Sequence, residues 1–288
     1  MKQLLISVFA GLVLSCAQSS AQSPEFKEQI TKDFTLSGNA SASTLVIYNI
    51  QGLIQVEATS GNTVSFRVDK QITGKEQAAV DRGRQELKLA FEQQGDTIFA
   101  YIAEPFDSRP SRENWRKNNS EDVPYDFTLD FTVRVPREMN LRVSTINRGD
   151  VTVNDMAGAL RLQNVNGAIR VTNARGVTHA HTINGNVDMN YVSNPPEASS
   201  YYTLNGNIRV TFPDNLAADL QFKTFQGEFF TDFPEIRILP VQVVKNQENR
   251  GDKTVYKLSQ TTQVRVGNGG KVHRFETFNG NVYIKKQS

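Results

Sequence analysis

His179 and His181 stand two residues apart in the alternating run Thr178-His-Ala-His-Thr182, so a strand would point both imidazoles to one side. Imidazole nitrogen is a preferred zinc ligand, which makes the pair half of a metal site, but a further ligand is needed and His273 lies far along the chain. A solvated polar face explains the pair without a metal. Two Arg-Gly-Asp tripeptides occur, at Arg148 to Asp150 and at Arg250 to Asp252. The first stands where sister segments carry Asn-Gly, so turn chemistry accounts for it; the second is expected at a hairpin tip, within reach of a partner. Four cations, Arg109, Arg112, Arg116 and Lys117, surround the single tryptophan, Trp115, a composition able to hold a sugar or an anionic polymer. No Ser-His-Asp spacing, glycine-rich phosphate loop or zinc signature is present, and no cofactor or metal is implied.

The elements that must carry these groups follow from a recurring Asn-Gly turn. Its clearest copies are Thr182-Ile-Asn-Gly-Asn186, Thr203-Leu-Asn-Gly-Asn207 and Thr277-Phe-Asn-Gly-Asn281. Weaker copies begin at Asn49, Thr145, Asn164 and Thr224. Glycines fall at 149, 158, 167, 176 and 185, then at 206 and 227, a fixed period that means stacked repeats. The second and fourth residues after most of these glycines are apolar, as in Ile169 and Val171 or Val187 and Met189, and the third points outward. If nine residues make one strand and turn, two such units complete an 18-residue coil. Thr152, Arg170 and Asp188 then form one outward column, continued by Arg209, with Asp188 between two arginines. Arg161, Arg170, Asp188 and Arg209, with Trp115 and Arg116 on the loop, are the candidate binding surface. Asn166, Gly167, Asn184, Gly185, Asn205, Gly206, Asn279 and Gly280 turn the corners, with Gly185 and Gly206 expected at positive φ. The expected fold is all-β, a single-stranded β-solenoid with coils of 18 to 21 residues.

Of 288 residues, 32 are basic and 30 acidic, a balance of +2 that offers no electrostatic footprint for nucleic acid. Lys2 and the apolar run Leu4 to Leu14, followed by Ser19-Ser-Ala21, read as a secretory signal over residues 1–21, too short to span a bilayer. Val13-Leu-Ser-Cys16 also resembles a bacterial lipoprotein box, so the mature chain begins either at Gln22 or at lipidated Cys16. Cys16 is the only cysteine, and no internal disulfide can form. Residues 22–43 read as a linker and 44–140 as an irregular β-rich cap, with one short helix near 74–84 and a hairpin turning at Gly95-Asp96. Residues 105–124 read as a surface loop. Regular repeats fill 141–288, with a hairpin insertion near 236–258 and a charged tail, Lys285 to Ser288, that caps the open end with the N-terminal region.

The run Phe131-Thr-Val-Arg-Val-Pro136, then Leu141-Arg-Val-Ser-Thr-Ile-Asn147, then repeated Asn-Gly coils resembles the adhesin-like domains of unknown function in bacterial envelope proteins. The resemblance covers roughly residues 44–287 and implies a β-solenoid and an exported location, in the periplasm, outer membrane or cell surface. It transfers no activity, because those domains have no accepted catalytic motif. The function expected is non-catalytic, a binding or structural surface for an envelope protein or polysaccharide, with no nucleic acid and no membrane span beyond a possible lipid anchor. A lyase-like enzyme acting on polysaccharide, or a partner in envelope-stress sensing, are the alternatives.

Overall fold

Runs in which every second residue is Val, Ile, Leu or Phe bury one side and leave the other polar, and many strands of the described residues take this form. The computed structural model describes residues 23–110, 123–250 and 253–287. From the N-terminus come β1 (Glu25–Thr35), β2 (Thr44–Tyr48), β3 (Ile54–Thr59), β4 (Thr63–Gly74), helix α1 (Gln77–Glu86), β5 (Lys88–Gln94), β6 (Thr97–Glu104) and β7 (Tyr125–Pro136). Short strands follow: β8 (Asn140–Ser144), β9 (Val151–Asn154), β10 (Leu160–Gln163), β11 (Ile169–Ala174), β12 (Thr178–Asn184), β13 (Val187–Tyr191), β14 (Ser200–Asn205) and β15 (Ile208–Phe212). The last part holds β16 (Ala218–Gln226), β17 (Phe229–Thr231), β18 (Ile236–Arg250), β19 (Lys253–Val266), β20 (Lys271–Asn279) and β21 (Val282–Lys286).

These strands make two large sheets. Sheet I has ten strands in the order β1-β4-β7-β3-β9-β11-β13-β15-β21-β17, and sheet II eleven, β18-β19-β16-β20-β14-β12-β10-β8-β2-β6-β5. Successive strands from β8 to β15 alternate between the sheets, and each from β8 to β13 pairs in parallel with the strand two positions on. Val151 lies beside Ile169 and Ile169 beside Val187, steps of 18 residues, and Val187 beside Ile208, a step of 21. Leu160, Leu162, Ile169, Val187, Ile208 and Val210 are at most 1% exposed, so the apolar positions of both sheets meet in one core. Larger rings fill the later part, where Tyr191 stacks on Phe212 at 5.2 Å and Tyr201 on Phe275 at 5.0 Å.

Several expectations require correction. Residues 25–35 are no linker: they form β1, antiparallel to β4, with Phe26, Ile30 and Phe34 half-buried. Only every fourth residue there is apolar because β1 is a sheet edge, where charges such as Glu28 and Lys32 discourage further pairing. The weak copy at Asn49 is a full member of the stack, since β2 lies in register beside β8 and β3 beside β9. The hairpin insertion is longer than 236–258 and runs through Val266, where β19 joins β16. Finally, the charged tail does not cap the stack. β20 lies between β14 and β16, and β21 between β15 and β17, so Lys285 and Lys286 sit within sheet I beside Thr211 and Phe212. The strand pair latest in sequence, β20 and β21, is thus not last in the sheets, and β16, β17 and the β18–β19 hairpin lie beyond it.

Candidate binding faces

The repeated motif is a set of contacts between repeats that lie side by side in the sheets. Its threonine points inward and donates to a glycine carbonyl one coil away: Thr182 to Gly167 at 2.8 Å, Thr203 to Gly185 at 2.7 Å and Thr277 to Gly206 at 3.1 Å. Buried carbonyls need such donors. Asn164 fills the same role with its amide toward Gly149. The first asparagine forms an exposed amide ladder, in which Asn166 donates to Asn147, Asn184 to Asn166, Asn205 to Asn184 and Asn279 to Asn205, each at 2.7–2.8 Å. The second asparagine, or Asp150 in its place, accepts from a backbone N–H of the adjacent coil: Ala168 to Asp150, Asn207 to Asn186, Asn281 to Asn207.

The glycines have a different reason from the one expected. Gly185 and Gly206 are not at positive φ; the residues of the motif that are include Gly280 (153°) and Arg148 (60°). A Cβ on Gly206 would overlap the carbonyl oxygen of Gly185, and one on Gly185 that of Gly167. Close approach of stacked backbones therefore selects glycine.

The outward column exists in the expected register. Thr152 stands beside Arg170, Arg170 beside Asp188 and Asp188 beside Arg209, all on sheet I. Its charges pair differently, however. Arg209 binds Asp188 at 3.2 Å, whereas Arg170 binds Asp150 of the preceding turn, so Asp188 is not shared between two arginines. Asp150 belongs to the first Arg-Gly-Asp, whose Arg148 is held by Asp126; that tripeptide is a structural turn. Arg67 with Asp69 and Arg134 with Glu57, both at 3.9 Å, complete the series, so all four outward arginines of sheet I have a carboxylate partner. A depression of 470 Å³ on this face, lined by Asp33, Gln55, Glu57, Arg67, Thr132 and Arg134 among others, is neutralised in the same way.

Arg161 does not belong with the column. It lies on sheet II between Arg142 of β8 and His179 of β12, on the other side of the stack. Neither Arg142, Arg161 nor Arg274 of β20 has a carboxylate within 4.0 Å among the described residues; Arg274 donates to Gln221 at 3.1 Å. His179 accepts from or donates to Ser200 through Nδ1 at 2.8 Å, and its pKa is lowered, first by burial and then by the Arg161 charge. His181 lies against Tyr202 with centroids 4.3 Å apart and the rings tilted by 30°, and burial lowers its pKa against the opposing pull of Glu276. His273 points into the core, 2% exposed, accepting from the Ser199 N–H, and burial depresses its pKa to about 4. The three histidines therefore do not converge, and no group of three metal-ligating side chains occurs among the described residues.

Trp115, Arg116, Arg112, Lys117 and Cys16, and Gly251 and Asp252 of the second Arg-Gly-Asp, lie outside the described residues. Arg109 is described: it pairs with Asp107 at 2.7 Å and covers the Tyr101 ring at 4.1 Å. Arg142 and Arg274 were missed by the sequence reading. Both had a signal: Arg142 follows the first apolar residue of the first regular repeat, and Arg274 stands three residues before Thr277 of a clear motif copy, as His179 does before Thr182.

No protein-family model matches the chain, and no curated protein matches it. Among solved structures, a candidate cell adhesion protein from Clostridium sporogenes is similar at 10% identity and a TM-score of 0.41, covering 90% of this chain and 100% of that one. A candidate adhesin from Bacteroides fragilis has 13% identity and a TM-score of 0.37, over 90% and 97% of the two chains. A candidate lipid binding protein from Parabacteroides distasonis has 11% identity and a TM-score of 0.26, with the same coverage. At these scores the likeness is partial, and no role follows from it. Among the described residues no helix is long and apolar enough to cross a membrane.

Proposed function

We propose that this chain is an exported, non-catalytic protein of the bacterial cell envelope, a β-solenoid of two strands per coil whose outer faces serve adhesin-like binding or envelope architecture. The observation that carries the reading is the division of labour in the repeat. Thr203, Asn205, Gly206 and Asn207, and their equivalents in the other coils, hold one coil to the next, while the outward residues differ from coil to coil, as Thr152, Arg170, Asp188 and Arg209 do. Such a scaffold keeps side chains of chosen chemistry at fixed spacing without preorganising an acid, a base and an oxyanion site around one point. The secretory signal supports export, with maturation at Gln22 or at lipidated Cys16.

Two measurements test this reading. Intact mass of the protein from native envelopes is expected to correspond to one of the two mature termini, and a chain starting at Met1 in the cytosolic fraction would refute export. Incubation with pectin, alginate and glycosaminoglycans is expected to release no unsaturated, ultraviolet-absorbing products, which are the signature of a lyase.

A further inference from the structure

The two outer faces of the stack differ in how their cations are compensated. On sheet I each outward arginine is met by a carboxylate. On sheet II the register aligns Arg142, Arg161, His179, Ser200, Arg274 and Gln221 side by side on six adjacent strands. No carboxylate stands in that row. Strands are spaced about 4.8 Å apart, so the row is a straight track of about 24 Å along the stack. Arg142 and Arg161 are exposed neighbours one strand apart, a like-charge juxtaposition that costs stability unless an anion answers it. In the neighbouring row His181 and Tyr202 present a tilted pair of rings beside the track, followed on the next strand by Glu276, whose charge is met by Lys223.

We infer that the outer face of sheet II binds an acidic polysaccharide laid along the stack, its carboxylates engaged by Arg142, Arg161 and Arg274 and its sugar rings resting on Tyr202. This inference rests on the envelope-binding reading and names the ligand class for it. The spacing favours a polymer of moderate charge density. Double-stranded nucleic acid carries a charge about every 1.7 Å, far denser than this row, in which Arg142 and Arg161 stand about 4.8 Å apart and Arg274 lies three strands beyond Arg161. The overall charge of +2 likewise supplies no general attraction, so recognition must come from the local row. Guanidinium forks match carboxylates with two parallel hydrogen bonds, which lysine would not do.

The test uses the full-length mature protein with three probes: polygalacturonate, vesicles containing phosphatidylglycerol, and single-stranded DNA, each titrated at low and at physiological salt. Polygalacturonate is expected to bind best, with an affinity that falls as salt rises. The Arg142→Ser/Arg161→Ser pair should weaken binding about tenfold or more through loss of charge-assisted hydrogen bonds, with circular dichroism unchanged and melting not lowered, since the change removes a like-charge pair. Arg142→Lys/Arg161→Lys should restore only part of it. Arg170→Ser/Arg209→Ser on sheet I should change affinity by less than about twofold, since those charges are already compensated. Equal losses from both serine pairs, no binding of polygalacturonate by the unaltered protein, or tighter binding to vesicles or DNA would overturn the track. Adhesion that survives removal of Arg142 and Arg161 would likewise overturn it while leaving the envelope-binding reading intact. Binding accompanied by release of unsaturated sugars would support the track and overturn the non-catalytic reading.

Discussion

Replacing Gly206 by alanine adds one carbon at the tightest part of the coil contact. The new Cβ would overlap the Gly185 oxygen and lie 2.6 Å from its carbonyl carbon, 0.8 Å short of the 3.4 Å at which ordinary contact begins. The obstacle is backbone, so no rotamer change relieves it, and the coil must move. Movement is resisted by Gly206 N to Asn279 O and Gly185 N to Asn205 O, both 3.0 Å, and by Thr203 Oγ1 to Gly185 O at 2.7 Å. Overpacking of this kind costs about 1–3 kcal/mol, and each weakened hydrogen bond about 1 kcal/mol more. A loss of about 3 kcal/mol is expected, which for a domain of this size lowers the melting temperature by about 6–12 °C. Thermal unfolding followed by circular dichroism measures it. Gly38→Ala is the control, because its Cβ would meet only the Asp96 carboxylate at 3.4 Å and its φ is not positive; it should shift stability by less than about 0.5 kcal/mol. Equal melting of Gly206→Ala, Gly38→Ala and the unaltered protein would refute the close-stacking explanation of the glycine column.

Three further outcomes are expected. Thr203→Val keeps the shape but removes the donor to Gly185, and should cost about 1–2 kcal/mol in urea unfolding; an unchanged midpoint would show that the inner threonines are replaceable. His273 is held neutral by burial, with a folded pKa of about 4 against about 6.5 unfolded, so its stabilisation is complete above the unfolded value and is lost as pH falls toward 4, up to about 3 kcal/mol. His273→Phe should therefore flatten the decline in stability between those pH values, and a parallel decline in both proteins would place the acid sensitivity elsewhere. Arg209→Ser breaks a half-exposed ion pair and should change the melting temperature by about 1 °C or less, since such pairs contribute little; a large drop would mean the outer column is structural.

Much of the scaffold was legible in the sequence because its determinants are local and repeated. Apolar alternation fixed which residues of β9 to β15 face inward, and the 18-residue step placed Thr152, Arg170 and Asp188 in one column. Gly95-Asp96 was readable as a hairpin turn, and Gly95 has the positive φ that such a turn requires. Properties that depend on which strands meet in space were not legible. β1 escaped notice because an edge strand needs few apolar residues, and the motif glycines were assigned a backbone conformation when the cause was a carbonyl one coil away. The position of β20 and β21 inside the stack depends on pairing across more than 60 residues, as Thr203 beside Thr277 shows, and no local pattern encodes it. The charges follow the same rule. The sequence determined that Arg161, Arg170 and Arg209 point outward, but only the tertiary structure decided that the last two are neutralised by Asp150 and Asp188 while Arg161 stands on the opposite sheet beside Arg142, because compensation depends on distance in space rather than along the chain.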